Sequence, residues 1–372
     1  MSSRTYPETL LRETVSLFSV YGDFRSAQPY GSGHINDTFK VDMSLAGTKV
    51  SYILQRINDT IFKQPARVME NIVRVTRHIA VKHAGDPDAS RKTLTVINAR
   101  DGKPLARGPD GGWWRMYVFI EGARTVDLIE RPVQAYKAAN AFARFQNDLA
   151  DLPQPRLYET IPEFHNTLSR LAQLDEAAAD DVCARKAKVS AELAFVDAHR
   201  AEAGRLIERM RAGEIPERIT HNDTKINNVM LDDATGEGCA VIDLDTVMPG
   251  LALYDFGDMV RTSTANAAED ERDLSKVYSR LDMFEQLARG YLADAKFLVP
   301  AEREELVFSG RLITFTIGVR FLTDYLAGDT YFRTSRPDHN LDRCRTQFKM
   351  VESMEANAAE MEKIAKDAAN AS

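Results

Sequence analysis

At 372 residues the chain exceeds a single average core, so two lobes are expected. Its 44% apolar and 28% charged residues fit an ordinary soluble enzyme or binding protein, and a net charge of −7 without a basic cluster argues against a nucleic-acid surface. No apolar run approaches the roughly 18 residues of a membrane helix, and the N-terminus MSSRTYPETLLRETV lacks both a basic start and an apolar signal core, so a cytoplasmic protein with no membrane partner is expected.

Residues 1–121 alternate short β-like runs with glycine-containing turns. TFKVDM (38–43) and VSYILQRI (50–57) read as antiparallel strands joined across SLAGTK. FKQPARVMENIVRVTRHIAVKH (62–83) follows at helical spacing, with Pro65 near its start, where a missing N–H does least harm. LTVINA and WWRMYVFI then form a long hairpin across ARDGKPLARGPDGG, and Trp113 and Trp114 either pack on the sheet or stack on a ligand. From Gly122 the pattern turns helical: VQAYKAANAFARFQNDLADL, residues 180–213, and most of the C-terminal third. Its strand-like interruption is NNVMLDDATGEGCAVIDLD, two apolar runs turning at Gly236 and Gly238. Cys183, Cys239 and Cys344 lie far apart and outside any CxxC spacing, which suggests neither a disulfide framework nor a zinc site. The Ala- and charge-rich end after Ser353 reads as a fraying surface helix. The expected fold is α+β: a small β-rich N-lobe with one helix over 1–121, and a larger, mainly helical C-lobe over 122–372.

The stretch ITHNDTKINNVML (219–231) places a polar knot between apolar ends. His221, Asp223 and Asn228 fit H-x-D-x-x-x-x-N, and Asp243 ends the apolar strand CAVID fifteen residues after that Asn. Phosphoryl transfer needs such a set: one carboxylate to accept the proton of the attacking hydroxyl, and an amide oxygen with a second carboxylate to hold Mg2+ against phosphates. Asn and Asp clusters also make ordinary turns, because their side chains cap local backbone groups. The matching spacing, a β-rich first lobe and a helical second one favour the catalytic reading.

The lobe order, HNDTKINN, and VIDLDTVMPG followed by YDFGD resemble the aminoglycoside phosphotransferase and choline kinase superfamily, whose fold is similar to that of protein kinases. Within it, GSGHINDTF, YILQRIN, VMENI, HNDTKINNVML, RFLTDYLAGDTYF and HNLDRCRTQF resemble the N-acetylhexosamine 1-kinases, which use ATP to phosphorylate the anomeric hydroxyl of GlcNAc or GalNAc. The resemblance implies Asp223 as catalytic base, Asn228 and Asp243 as Mg2+ ligands, and Asp245 as a helper through a second metal or its water, or else a turn cap. Lys225 would contact the transferred phosphate or stand in solvent, and His221 would hold the loop. Gly31 and Gly33 supply a turn able to approach phosphates, although the full G-x-G-x-x-G is lacking. Gln55 stands where a phosphate-binding Lys or Arg is usual, which puts a pairing with Glu70 in doubt, while Arg56 faces the other side of the strand. Adenine would lie near Val118 to Glu121, which includes Phe119. His34, Arg320 and Tyr331 would hold the sugar, unless Arg320 pairs with Asp324 at i+4.

Other classes leave traces that can be checked. A protein kinase should carry HRD and a downstream Ala-Pro-Glu, yet Asn222 follows His221 and no such tripeptide occurs after it. A P-loop GxxxxGK[ST] is absent. Choline, homoserine or aminoglycoside acceptors stay open, as does a pseudokinase-like binding module, which Gln55 favours and the intact Asp223, Asn228 and Asp243 disfavour.

Overall fold

The computed structural model describes residues 6–31 and 35–371 of the chain, which fall into two compact units. The first comprises the residues up to Asp127 together with two returning segments, Asp151–Ile161 and Asn228–Met248. The second comprises Leu128–Ala150, Pro162–Asn227 and the chain from Pro249 onward.

In the first unit, helix α1 (Glu8–Ser16) precedes strands β1 (Asp23–Pro29), β2 (Asp37–Leu45) and β3 (Thr48–Ile57). Helix α2 (Pro65–Lys82) follows, then β4 (Val96–Ile97), β5 (Ala106–Arg107), β6 (Trp113–Val118) and β7 (Ala123–Arg124). The main sheet is antiparallel, in the order β1-β2-β3-β6-β4, with β5 also on β6. Alternation in β2 sends Phe39, Val41 and Met43 to one face, where they meet Leu54, Trp114 and Met116 in a core that α1 joins through Leu11 and Val15. Trp114 is thus a core ring whose indole N–H donates to Asp110 at 2.9 Å, while Trp113 carries the Arg107 guanidinium 4.0 Å above its face. The second hairpin, Val229–Asp232 with Gly238–Val241, pairs with β7.

The second unit is built from helices α3 (Pro132–Leu149), α4 (Thr167–Asp180), α5 (Ser190–His199), α6 (Arg205–Arg211), α7 (Ala252–Ser263), α8 (Leu281–Asp294), α9 (Pro300–Glu304), α10 (Leu306–Leu326), α11 (His339–Ala356) and α12 (Ala358–Asn370). Packing centres on α10, which lies against α4, α7 and α11, while α3 runs along α8. Two glycines set the closest approaches: a Cβ on Gly257 would lie 2.4 Å from the Ser309 carbonyl oxygen, and one on Gly290 would lie 2.2 Å from that of Tyr136.

Three expectations need correction. The stretch 180–213 is not one helical run, because Asp181 adopts a left-handed conformation (φ 40°) that ends α4 and turns the next residues into loop and short 3-10 turns. The C-terminal helix does not fray on the surface: Met361, Ala365 and Ala368 recur at helical spacing, are buried, and dock α12 on α8. Helix α10 is long and apolar enough to cross a membrane by length and composition, with mean hydropathy 1.4, yet 78% of its most apolar window is buried within the protein. Its stripes face other helices on nearly all sides, as an all-round apolar core helix requires.

Candidate functional site

The residues singled out by sequence fall into two sets, one in each unit. In the second, Asp223 lies on the loop that follows the strand Arg218–Thr220. Two carboxylates at i,i+3 on α7 hold this loop. Asp255, fully buried, accepts from the backbone N–H of His221 at 2.8 Å, from that of Asn222 at 2.7 Å, and from Gln146 Nε2 at 2.6 Å. Asp258 accepts from Thr224 N–H at 2.9 Å and from Arg261 Nε at 2.8 Å. Burial pushes the Asp255 carboxyl up to about 6; at Asp258 burial pushes the same way, but the charges around it, Arg261 foremost with its hydrogen bond and then Lys225, together hold its carboxyl below the usual range.

His221 is buried edge-on against the rings of Phe142 and Phe145, and its Nδ1 accepts from Asp223 N–H at 3.3 Å, so it works on the loop's backbone. Lys225 Nζ lies 2.9 Å from the Asp223 carboxylate, and that charge raises the Lys225 pKa. His165 contacts the Asn222 carbonyl oxygen through Nε2 at 3.0 Å, which requires Nε2 to carry the proton. Burial holds its pKa down at about 4, and the ring is neutral at neutral pH.

Phe164 links this loop to the acceptor residues expected from sequence. Its ring lies 4.6 Å from that of His165, and the Arg320 guanidinium sits 4.8 Å over its centroid. Tyr331 and Phe332 flank the same guanidinium at 5.6 and 5.4 Å, and the Tyr331 hydroxyl is 3.4 Å from Nη2. The i+4 pair with Asp324 does not form. Asp324 instead accepts from the backbone N–H groups of Thr330, Tyr331 and Phe332 at 2.8 to 2.9 Å and from Asn340 Nδ2 at 2.9 Å, building the turn that presents Tyr331. Among the described residues no carboxylate lies within ion-pair distance of Arg320. Arg170, anchored on the Phe164 carbonyl, has its pKa pushed down to about 10 by burial and by the Arg320 charge.

In the first unit, Asn228 and Asp243 leave the same end of the second hairpin, joined by the Ile242 N–H, which donates to the Asn228 carbonyl at 2.9 Å. Asp243 adopts φ 57°, a conformation few non-glycine residues take, and its side chain is exposed. A hard divalent cation that shares its shell with phosphates and water needs only one or two protein oxygens. An amide oxygen and a carboxylate fit Mg2+ held together with a nucleotide.

Asp245, two residues on, is buried. Its Oδ1 accepts from Arg115 Nη1, and its Oδ2 accepts from Asn36 Nδ2 at 2.6 Å. Gln55 lies opposite Arg115 across β3 and β6, accepts from Arg115 Nε at 3.0 Å, and donates to Thr38 Oγ1 at 2.9 Å. Glu70 is exposed and makes no bond with Gln55; its neighbour Asn71 points inward and bonds the backbone of Tyr158 and Val247. Arg56 pairs with Asp110 at 2.6 Å. Phe119 packs under Lys40 Nζ at 3.6 Å and edge-on to Tyr30, and the Glu121 charge adds to burial in raising the Tyr30 pKa. Gly31 takes φ 80° with open space at its Cβ position. Gly33 and His34 lie outside the described residues.

Sequence reading gave no role to Asp255, Asp258, Arg115 or Asn71, and gave Asp324 only that of an i+4 partner for Arg320. For the first two a signal existed, the i,i+3 acids of YDFGD. Arg115 stands 130 residues before its partner and carried none.

The APH model of the phosphotransferase enzyme family matches residues 26–288. Among solved structures, the chain is similar to a microcompartment-associated aminopropanol kinase at 15% identity and TM-score 0.57, over 95% of this chain and 98% of that one. It is similar to a spectinomycin phosphotransferase, solved with ADP and spectinomycin, at 13% identity and TM-score 0.55, over 95% and 99%. A Plasmodium vivax ethanolamine kinase matches at 15% identity and TM-score 0.54, over 87% and 82%. These three likenesses are of fold, an antiparallel-sheet lobe followed by a helical one.

Proposed function

The chain belongs to the APH phosphotransferase enzyme family, and from that premise we propose that it transfers the γ-phosphoryl group of ATP to O1 of an N-acetylhexosamine. Asp223 accepts the O1 proton as the O1–Pγ bond forms and the bond from Pγ to the bridging oxygen of ADP breaks. Asn228 and Asp243 would hold Mg2+, which when bound neutralises charge on the phosphates. Gly31 and Gly33 serve the phosphates, the segment through Phe119 and Glu121 the adenine, and Lys225 the transferred group. His34, Arg320 and Tyr331 take the sugar.

The observation that carries the acceptor class is the Arg320 guanidinium, set among three aromatic rings with no carboxylate partner among the described residues and with Arg170 nearby. An ammonium-bearing acceptor would meet like charge there, which argues against amino alcohols and aminoglycosides. Hydroxyl and carbonyl oxygens can accept the guanidinium's hydrogen bonds, and the rings offer a wall to an N-acetyl methyl group. The test is an ADP-release screen of free sugars, choline, ethanolamine, homoserine and aminoglycosides, with NMR of the product to locate the ester. Turnover confined to amine acceptors would overturn this acceptor.

A further inference from the structure

Resting on the phosphotransfer reading above, we infer that Asp245 is not a metal ligand but the anchor through which Arg115 positions the Asp243 turn. Arg115, on the neighbouring strand, is thereby a cation that orients an acid rather than one that binds phosphate in place of Gln55. The register places the two side by side: Gln55 of β3 faces Arg115 of β6, and the Arg115 Nε to Gln55 Oε1 bond makes the neutral residue a bracket for the charged one. The Arg115 and Asp245 side chains are 1% and 4% exposed, so no phosphate oxygen reaches this guanidinium; its charge is paired with Asp245 and is also felt by Asp243.

The other half of Asp245 is also committed. Asn36 Nδ2 donates to Oδ2 at 2.6 Å, and Asn36 Oδ1 accepts from Asn58 N–H at 3.0 Å, so the network closes on backbone that follows β3. A cation at Asp245 would have to displace a buried guanidinium or this amide. The D-L-D turn separates the two acids: the left-handed Asp243 is exposed, and the 3-10 turn Leu244–Thr246 carries the Asp245 carboxylate inward. A buried charge pair joined by neutral brackets at both ends fixes orientation more than it adds stability. Here the group whose orientation it fixes is the exposed acid two residues away.

The two roles for Asp245 predict opposite signs for one substitution. If Arg115 positions the turn, Arg115→Met weakens Mn2+ binding without touching a metal, by about tenfold to a hundredfold, as loss of an outer-shell partner does. If Asp245 is a ligand, the same substitution frees it and leaves binding equal or tighter. Mn2+ uptake by the full-length protein in the presence of ADP, followed by electron paramagnetic resonance, counts the ions and reads their affinity without turnover.

Asp245→Asn is expected to bind as many ions as the parent, more weakly, and Arg115→Met combined with Asp245→Leu to bind no more weakly than the poorer single variant, because both remove one device. The double variant carries no unpaired buried charge, so it keeps the test alive should Arg115→Met alone fail to fold. Loss of one Mn2+ in Asp245→Asn, or unchanged affinity in the double variant, overturns the inference while leaving phosphotransfer standing. A parent that binds Mn2+ with ADP yet phosphorylates no sugar overturns the acceptor alone. A parent that takes up no Mn2+ with ADP overturns both.

Discussion

Asp255→Asn tests whether the loop that carries the proposed base, Asp223, owes its shape to the helix behind it. The native carboxylate takes three donors, two of them backbone N–H groups of residues immediately before Asp223. An amide of the same shape has one acceptor oxygen, so whichever way it turns, at least one of those donors faces an NH2 group. An unmet buried donor costs about 1–3 kcal/mol, and exchanging charge-assisted bonds for neutral ones removes about 1 kcal/mol more. A total of roughly 2–4 kcal/mol is within the 5–15 kcal/mol of a typical domain, so the variant should fold, whereas alanine would strand all three donors. The loop would relax by displacing His221 and Asn222, and with them Asp223. Because a shift on the order of 1 Å can reduce rate about 100-fold, kcat should fall by that order while the KM for ATP changes little. Coupled ADP-release kinetics and urea unfolding of the same preparation read both quantities. Wild-type kcat in a variant destabilised by the stated amount would refute the link between helix and base, and leave Asp255 a purely structural residue.

Asp223→Asn should lower kcat by at least about 100-fold, the lower bound for general-base help, with ATP binding nearly intact; wild-type turnover would remove the base from this position. Asp243→Ala should reduce activity and raise the Mg2+ requirement while the fold is retained, and an unchanged Mg2+ titration would move the metal elsewhere. Arg320→Ala leaves ligand oxygens unpaired in a mostly apolar setting, a loss of roughly 1–3 kcal/mol, so the sugar KM should rise by about one to two decades with the ATP KM unaffected. If it is the ATP KM that moves, the residue is a nucleotide contact. The pH dependence of stability has two opposed sources. His165 binds its proton near 6.5 when unfolded and about 4 when folded, so its contribution is lost as pH falls through that window; Asp255 titrates at 3.8 unfolded and about 6 folded, so its contribution grows as pH falls through the same range. Urea unfolding between pH 4.5 and 7 should therefore make His165→Asn relatively more stable in acid and Asp255→Asn relatively less, and shifts of the same sign in both would refute the assignment.

What was legible in the sequence is what local spacing can encode. Asp223, Asn228 and Asp243 sit on one loop and one hairpin, where a fixed count of residues fixes geometry, and strands β2 and β3 declare themselves through alternation. The helix α12 was misjudged because its composition is polar on average, although Met361, Ala365 and Ala368 form a stripe that composition alone averages away. Other supports of the site were not legible because pairwise spacing does not say which donors win an acid: Asp245 is held from 130 and 209 positions away, and even near neighbours compete. Asp324 illustrates this: at i+4 from Arg320 on one helix it invites an ion pair, yet three backbone N–H groups of the following turn claim its oxygens first. Those bonds leave the guanidinium to the aromatic rings and the Tyr331 hydroxyl, so a residue read as the ion-pair partner of Arg320 is committed elsewhere, and no other carboxylate among the described residues takes its place. On the proposed reading, a guanidinium with no carboxylate at ion-pair distance among the described residues is what disfavours ammonium groups, since like charge there costs binding before any shape is compared.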